Sequence, residues 1–496
     1  MFDATADDQA HGKQDVSATM RASGLWATVW SECVPAARVE DLLVVATLDG
    51  AARVALELAG ADGRSLASRV AVTLPDGQIL TADGAADGFN LTLPEPVRAW
   101  SPADPYVAPR PPECAQALCL PRSRMSGRKP LNIANERWNA AESPCLRYLY
   151  DFDLWLLDAE SGETVDAVRS YFGVREVGAR ATAAGETIPV FNRAPLFQAG
   201  VLDQGYWPDG VYAAPTDEAL RSDLEAAKRL GFNLVRKHVK MESRRWYRHA
   251  DELGLLVWQD LPHKSSHAGV GDAVYEQWLS GMTRAVAARR GHPSIAQWVC
   301  YNEGWGQDPG ATTAHTVAAV RASDPFTTNS SGRLVEDASG GRGCANSTSK
   351  WVGGCYGDAT DVHHYSAPDW GDDASRNVSG RDRAKTLALG EFGGIALTPP
   401  GHEWAPGGCK DTYAPVASRG ALASLYEEYA REVVDMIAQN FSALSAAVYT
   451  QITDVETECN GLLTYDRLLK ADPARIRAAN EALIANATEL LAASLR

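Results

Sequence analysis

Two glutamates end apolar runs in a way that invites chemistry. Glu303 closes the run in WVCYNEGW and Glu391 closes the run in TLALGEFGG. A carboxylate delivered into apolar surroundings is costly unless it has a partner or a task. One such glutamate is most often half of an ion pair. Two in matching contexts suit cleavage of a glycosidic bond, in which a protonated carboxyl donates to the leaving oxygen and an ionised one attacks the anomeric carbon. The acid needs apolar neighbours and a nearby negative charge to keep its proton; the nucleophile needs hydrogen-bond donors. Trp305 and Phe392 stand beside the two glutamates, and Arg236 is a donor of the right kind.

Elements able to hold such a pair recur along the second part of the chain. From about residue 187, apolar runs of strand length alternate with amphipathic segments of helix length. The strand candidates are 196–202, 233–238, 255–260, 296–302, 326–330, 360–365, 386–391 and 446–451; the helices between them include 216–230, 243–253, 274–290, 311–321 and 421–440, with a last helix at 473–494. This alternation predicts a (β/α)8 TIM barrel over 187–496, with active-site residues at the C-terminal strand ends. Thr216 is a helix cap, Asp217 and Glu218 fill the first turn, and Gly231 ends that helix. Polar residues at the strand ends are Asp203 and Gln204 (strand 1), Arg236, Lys237 and His238 (strand 2), Gln259 and Asp260 (strand 3), Asn302 (strand 4), His363 to Tyr365 (strand 6), and Tyr449 to Gln451 (strand 8).

The first part reads as β. The segment 39–59 holds two apolar runs broken by Asp49-Gly50, a hairpin signal, and further strand-like runs follow at 68–73, 88–93 and 146–157. Their spacing suits a sandwich. The Pro-, Arg- and Cys-rich stretch 108–144 has no periodicity and is read as an insertion.

The 496 residues allow two to four domains at roughly 100–200 residues each. The composition, 45% hydrophobic and 22% charged, is that of an ordinary globular chain. No apolar run is long enough to span a membrane. A formal charge of −16 argues against nucleic acid and anionic membranes as partners and favours a neutral small molecule. The start has no signal-peptide pattern, whereas nine cysteines and six sequons, at Asn90, Asn329, Asn346, Asn377, Asn440 and Asn486, point to secretion; compartment and oligomeric state stay open. No CxxC is present, and a Cys344–Cys355 disulfide is plausible in an oxidising compartment. His263 and His267 lie in a polar loop with no shared helix face, so no metal and no cofactor are expected.

These stretches resemble glycoside hydrolase family 2. The resemblance rests on SGLWATVW (23–30), RAWSPADPY (98–106) and SYFGVREV (170–177) and, in the barrel, on GVLDQGYWPDGVY (200–212), LGFNLVRKHVK (230–240), GLLVWQDLP (254–262), YNEGWGQ (301–307), LGEFGG (389–394) and YTQITDVETECNGLLTYD (449–466). It implies a multidomain chain: an immunoglobulin-like β-sandwich at 38–178 followed by the catalytic TIM barrel, with 1–37 as the remnant of a galactose-binding-like jelly roll. It implies a retaining exo-β-glycosidase with a carbohydrate substrate, Glu303 as acid/base, Glu391 as nucleophile and Asn302 on the sugar 2-hydroxyl. Arg236 would hold Glu391 ionised and His238 would lie near the sugar hydroxyls. Asp203, Trp258, Asp260, His363, Tyr365, Trp404, Tyr449 and Gln451 are candidate subsite residues. The competing reading is a non-catalytic carbohydrate-binding remnant, for which the glutamates would stand at the wrong spacing. An unrelated barrel enzyme using a lysine fits poorly, because Lys237 is the only lysine in a strand candidate.

Overall fold

The computed structural model describes residues 33–102, 149–262, 269–308, 310–327, 332–340, 355–369, 383–405, 407–409, 413–439 and 441–496. Expectations for the jelly-roll remnant up to Glu32, the insertion 108–144, most of the loop 340–357, His263, His267, Cys344 and the sequons at Asn329, Asn346, Asn377 and Asn440 lie outside the described residues. The chain divides into two compact units, Cys33–Arg175 and Glu176–Arg496.

The first unit is all β. Its strands are β1 (Arg38–Ala46), β2 (Ala51–Ala59), β3 (Leu66–Thr73), β4 (Ile79–Ala85), β5 (Gly88–Thr92), β6 (Tyr150–Asp158) and β7 (Thr164–Phe172). They form one antiparallel seven-stranded sheet in the order β1-β2-β5-β4-β3-β6-β7. The β1–β2 hairpin turns where Asp49-Gly50 predicts it, and Gly50 is needed there: its φ is +83°, and a Cβ would lie 2.8 Å from the Leu93 carbonyl oxygen. The end strands of that order also meet, through the Val39 N–H and the Asp166 carboxylate at 2.9 Å. Alternation buries Val70, Val72, Phe152, Leu154 and Phe172, with Tyr150 stacked on Phe172 at 5.1 Å. Strand β4 was missed in the sequence because its inward residues Leu80 and Ala82 are only partly buried and its first residue, Ile79, is 66% exposed, which leaves a weak stripe to read.

The second unit opens with three short antiparallel strands, β8 (Val177–Ala181), β9 (Thr187–Phe191) and β10 (Ala194–Pro195). The barrel strands follow: β11 (Gln198–Asp203), β12 (Leu234–Lys237), β13 (Leu256–Asp260), β14 (Ile295–Val299), β15 (Leu334–Glu336), β16 (Ala359–Tyr365), β17 (Thr386–Gly393) and, after a two-strand pair β18 (Ile395–Ala396) and β19 (Ala414–Pro415), β20 (Leu444–Thr450). The eight barrel strands are parallel, in the order β15-β14-β13-β12-β11-β20-β17-β16. The ends of that order are joined by Asp358, whose N–H donates to the Val335 carbonyl while its carboxylate accepts from the Val335 N–H, both at 2.8 Å. This is a TIM-like barrel, as the strand–helix alternation predicts.

Helices α1 (Asp217–Arg229), α2 (Arg244–Leu253), α3 (Ala273–Ala287), α4 (Ala311–Ser323), α5 (Arg419–Gln439) and α6 (Pro473–Ser494) lie within two or three residues of the predicted segments. Thr216 caps α1 by accepting from the Ala219 N–H at 3.0 Å, and Leu220, Leu224 and Ala227 form its buried face. No described helix is long and apolar enough to cross a membrane.

The fifth barrel strand corrects the sequence reading. The described part of the stretch 326–330, Phe326 and Thr327, belongs to a 3-10 turn, Pro325–Thr327, and the strand is Leu334–Glu336. Asp324 dictates the turn by accepting from the Phe326 N–H at 2.9 Å, while its carbonyl accepts from the Thr327 hydroxyl at 2.7 Å. The same carboxylate anchors the true strand. Arg333, fully buried, donates to Asp324 Oδ2 at 2.6 Å and to the carbonyls of Ile295, Arg290 and His292 at 2.7, 2.8 and 2.6 Å. Replacing Arg333 by Met would strand a buried carboxylate and three carbonyls, so Arg333→Met is expected to cost about 3–5 kcal/mol in urea unfolding. Adding Asp324→Asn should recover part of that loss. A cost below about 1 kcal/mol would show that Arg333 does not anchor this strand.

Candidate active site

Glu303 and Glu391 come together at the C-terminal end of the barrel. One donor atom each from Glu303, His363 and Glu391 lies within 4.8 Å of the other two. Glu391 sits within β17 and its side chain is 4% exposed, whereas Glu303 follows β14 and is 33% exposed. Glu303 takes a left-handed φ of +50°, held by its N–H donating to the Ser339 carbonyl at 2.9 Å.

Arg236, on β12, ties this end of the barrel together. Its guanidinium is bidentate to Asp260, with Nε to Oδ1 at 3.1 Å and Nη2 to Oδ2 at 2.8 Å. Nη2 also donates to Asn302 Oδ1 at 2.8 Å, and Nη1 to the Gly390 carbonyl at 3.1 Å and to Glu391 Oε1 at 3.4 Å. Burial works against a charged guanidinium, but the Asp260 and Glu391 carboxylates outweigh it and raise its proton affinity. His238 Nε2 lies 3.6 Å from Glu391 Oε1. On the other oxygen, the Tyr365 hydroxyl donates to Glu391 Oε2, and Tyr365 is stacked on Tyr413 with 3.9 Å between ring centres. His363 touches Glu303 at 2.8 Å through Nδ1 and Ser339 at 2.8 Å through Nε2. Both ring nitrogens thus face a hydrogen-bonding side chain.

Of the expected residues, the structure gathers Arg236, His238, Asp260, Asn302, Glu303, His363, Tyr365 and Glu391. Trp258 does not join them. Its indole N–H donates to Gln198 at 2.8 Å, and it lines a small cavity with Gln198, Leu256 and Leu334, which begin their strands, so it belongs to the layer at the opposite end of the barrel. Tyr449 points out of the barrel: its ring packs edge-on against Tyr426 of α5 at 5.0 Å, and its hydroxyl accepts from the Ile395 N–H at 3.1 Å. Asp203 is committed to Lys237 Nζ at 3.0 Å and the Gly205 N–H at 2.7 Å. The Gln451 amide is held by Gln204, Glu458 and Asn460 at 2.8, 2.9 and 2.8 Å. Trp404 packs edge-on against Tyr465 at 5.6 Å, in a segment fastened by a Cys409–Cys459 disulfide. That pairing was not foreseen, because the two cysteines are 50 residues apart and their spacing carries no signal.

Sequence reading missed Ser339 and Asp361. Asp361 was legible: it alternates with His363 and Tyr365 along one strand. Ser339 was hidden by the misplaced fifth strand. Glu336, at the end of β15, is also buried in the barrel, where it accepts from Gln297 Nε2 at 2.7 Å; burial first, then the Asp361 charge, pushes its carboxyl up.

An eight-stranded parallel barrel with facing glutamates at its C-terminal end has the layout of a two-carboxylate glycosidase. Comparison with known proteins finds named glycosidases. No family model matches the chain. A β-galactosidase of Oenococcus oeni is 31% identical over 189 residues, which is 36% of this chain and 17% of that protein. A putative β-glucuronidase of Formosa agariphila is 35% identical over 95 residues, 19% of this chain and 11% of that protein. The matched stretches thus span less than a fifth of these relatives' own lengths. Among solved structures, the FMN-binding β-glucuronidase from Facaelibacterium prausnitzii L2-6 superposes with a TM-score of 0.63 at 16% identity, covering 91% of this chain and 64% of that one. A β-glucuronidase from Ruminococcus gnavus in complex with D-glucuronic acid gives 0.60 at 15%, covering 90% and 68%. These named relatives are glycoside hydrolases, and they bear out the resemblance to glycoside hydrolase family 2.

Outside the carboxylate pair, the ends of β11 and β12 carry a buried charge cluster whose pH dependence can be worked out. Glu242 lies 2.8 Å from both Lys237 Nζ and Lys240 Nζ. Burial alone would raise its carboxyl, but the two ammonium groups prevail and lower it from 4.5 to about 2. A depressed carboxyl stabilises the fold above its ordinary value and loses that contribution as pH falls through the folded-state value. The shift corresponds to about 3 kcal/mol. Glu242→Gln should therefore be less stable than the parent by about that amount at pH 7, with the gap closing between pH 4.5 and about 2. A gap that stays constant across this window in denaturant titrations would refute the ion cluster.

Proposed function

We propose that the chain is a retaining exo-β-glycosidase, cleaving O-glycosidic bonds at the non-reducing ends of carbohydrates, galactosidase- or glucuronidase-like in its glycone. The observation that carries this is the carboxylate pair at the barrel mouth, with an oxygen of each within 4.8 Å of the other. Retaining glycosidases place their carboxyl groups about 5–5.5 Å apart, and inverting ones about 6.5–9.5 Å, to admit a water between acid and base. The unequal exposure of the pair supports the division of labour. In the first step the Glu391 carboxylate attacks the anomeric carbon, the bond to the leaving oxygen breaks, and that oxygen takes a proton from Glu303. In the second, Glu303 takes a proton from water, the water oxygen attacks the same carbon, and the bond to Glu391 breaks. Asn302 Oδ1 is occupied by Arg236, which leaves its amide N–H groups for the sugar 2-hydroxyl. In the architecture this reading implies, the all-β unit is the immunoglobulin-like module and the barrel is catalytic. A binding-only remnant would not need the two carboxylates so close.

Hydrolysis of a panel of nitrophenyl β-glycosides tests the reading. Release from one sugar is expected, with Glu391→Gln reduced to background; on the methyl β-glycoside of that sugar, Glu303→Gln should be reduced by about 10²–10⁴-fold. Proton NMR of the first product should show the β-anomer. An α-anomer would overturn retention. Silence from the folded protein, or an undiminished Glu391→Gln, would overturn the glycosidase.

A further inference from the structure

The hydrogen bonds around Glu303 continue past it into the barrel. Glu303 Oε1 meets His363 Nδ1 at 2.8 Å, and His363 Nε2 meets Ser339 Oγ at 2.8 Å. The Ser339 hydroxyl donates to Asp361 Oδ2 at 2.6 Å, and Asp361 Oδ1 accepts the Gly390 N–H at 2.9 Å. A hydroxyl has one hydrogen. Once it is given to Asp361, Ser339 can only accept from His363, so Nε2 carries a hydrogen. Nδ1 is then left with two states toward Glu303. It accepts from a protonated carboxyl, or it donates as imidazolium to an ionised one. These states differ only in the place of one proton across a 2.8 Å contact.

The ring is fixed where this choice matters. A Cβ at Gly340, whose φ is +68°, would lie 2.7 Å from Nδ1, so the backbone of the segment after β15 lies directly against the imidazole. The charged groups facing the ring are Glu303 and, at 3.6 Å, Glu391 on the Nδ1 side, with Asp361 at 3.8 Å and Arg236 Nη1 at 3.4 Å on the Nε2 side. Tyr365, on the same strand, is turned to Glu391. Burial works against a charged ring, but the Glu391, Glu303 and Asp361 carboxylates outweigh it and raise its proton affinity.

We propose that His363 is the positioning residue that holds the proton of Glu303, with Ser339 and Asp361 fixing its tautomer. This rests on Glu303 being the acid/base. The proton shared by the pair leaves for the glycosidic oxygen in the first step. Glu303 is then ionised and faces the bare Nδ1 lone pair. That repulsion raises the proton affinity of the carboxylate and favours recovery of a proton from water in the second step. One proton leaves and one returns, so the cycle balances.

The test compares the parent, His363→Ala and Ser339→Ala on methyl and 2,4-dinitrophenyl β-glycosides of the sugar found in the panel. In His363→Ala the basic limb of the kcat/KM profile should fall by about one pH unit. The methyl glycoside should lose about 10²-fold and the dinitrophenyl glycoside, which needs no acid, less than about 10-fold. Added imidazole should restore part of the methyl glycoside rate. Ser339→Ala, which frees the ring to turn its hydrogen toward Glu303, should shift the same limb in the same direction by less. An unmoved basic limb in both variants, or equal losses on both aglycones, would overturn the proposal and make His363 a structural or glycone contact. If instead Glu303→Gln keeps the parental rate on the methyl glycoside, the acid/base assignment itself fails, whatever the His363 variants do.

Discussion

The barrel interior depends on one permanent cation. Arg236 bridges three other strands at once: Asp260 ends β13, Asn302 follows β14, and Gly390 and Glu391 lie in β17. A guanidinium without a partner could not be buried here at a tolerable cost, and neither could the carboxylates without it. Planar donors in a fixed fork set where those partners must stand. Once they are set, the two oxygens of Glu391 are assigned separate tasks, Oε1 facing Arg236 and His238 and Oε2 facing the Tyr365 hydroxyl.

Outside this polar interior the barrel is held by ordinary burial. Val201, Val235, Val257 and Trp298 alternate with the inward polar residues and meet the helices, with Trp246, Tyr275 and Leu224 in the same cluster. Exposure to the helix layer explains why Lys237, one residue from Arg236, has a different life. It turns outward to Asp203 and Glu242, and lies 5.0 Å from the Trp246 ring of α2. Neighbours in sequence are therefore separated into two charge systems by the strand's period of two.

That same geometry marks how far the sequence could be read. Strand and helix rhythm was plain, because parallel strands are buried on both faces and read as unbroken apolar runs. Glu303 and Glu391 were legible because each interrupts such a run. What a run does not show is the layer. Trp258 and Asp260 share a side of β13, yet Trp258 serves the opposite end of the barrel, where it meets Gln198. Tyr449 ends a strand like Tyr365 does, but its parity sends it to Tyr426 and α5. The fifth strand was unreadable for a different reason. It is three residues long, and its place is set by Arg333 and Asp324 through tertiary hydrogen bonds with no periodic signature.

The unequal exposure of the two glutamates fits the roles proposed for them, Glu391 as nucleophile and Glu303 as acid/base. A nucleophile that forms a bond to carbon gains from a dry, fixed setting, since water would solvate its charge and blunt the attack. Glu391, 4% exposed and tethered at both oxygens, has that setting. An acid/base must meet a leaving group on its way out and a water on its way in, so it cannot be sealed. Glu303, 33% exposed, is open to both. An open carboxyl, however, ionises readily near neutral pH. A proton-holding partner behind it, out of solvent, reconciles access with retention of the proton. His363, whose side chain is 7% exposed and braced by Ser339, occupies that place.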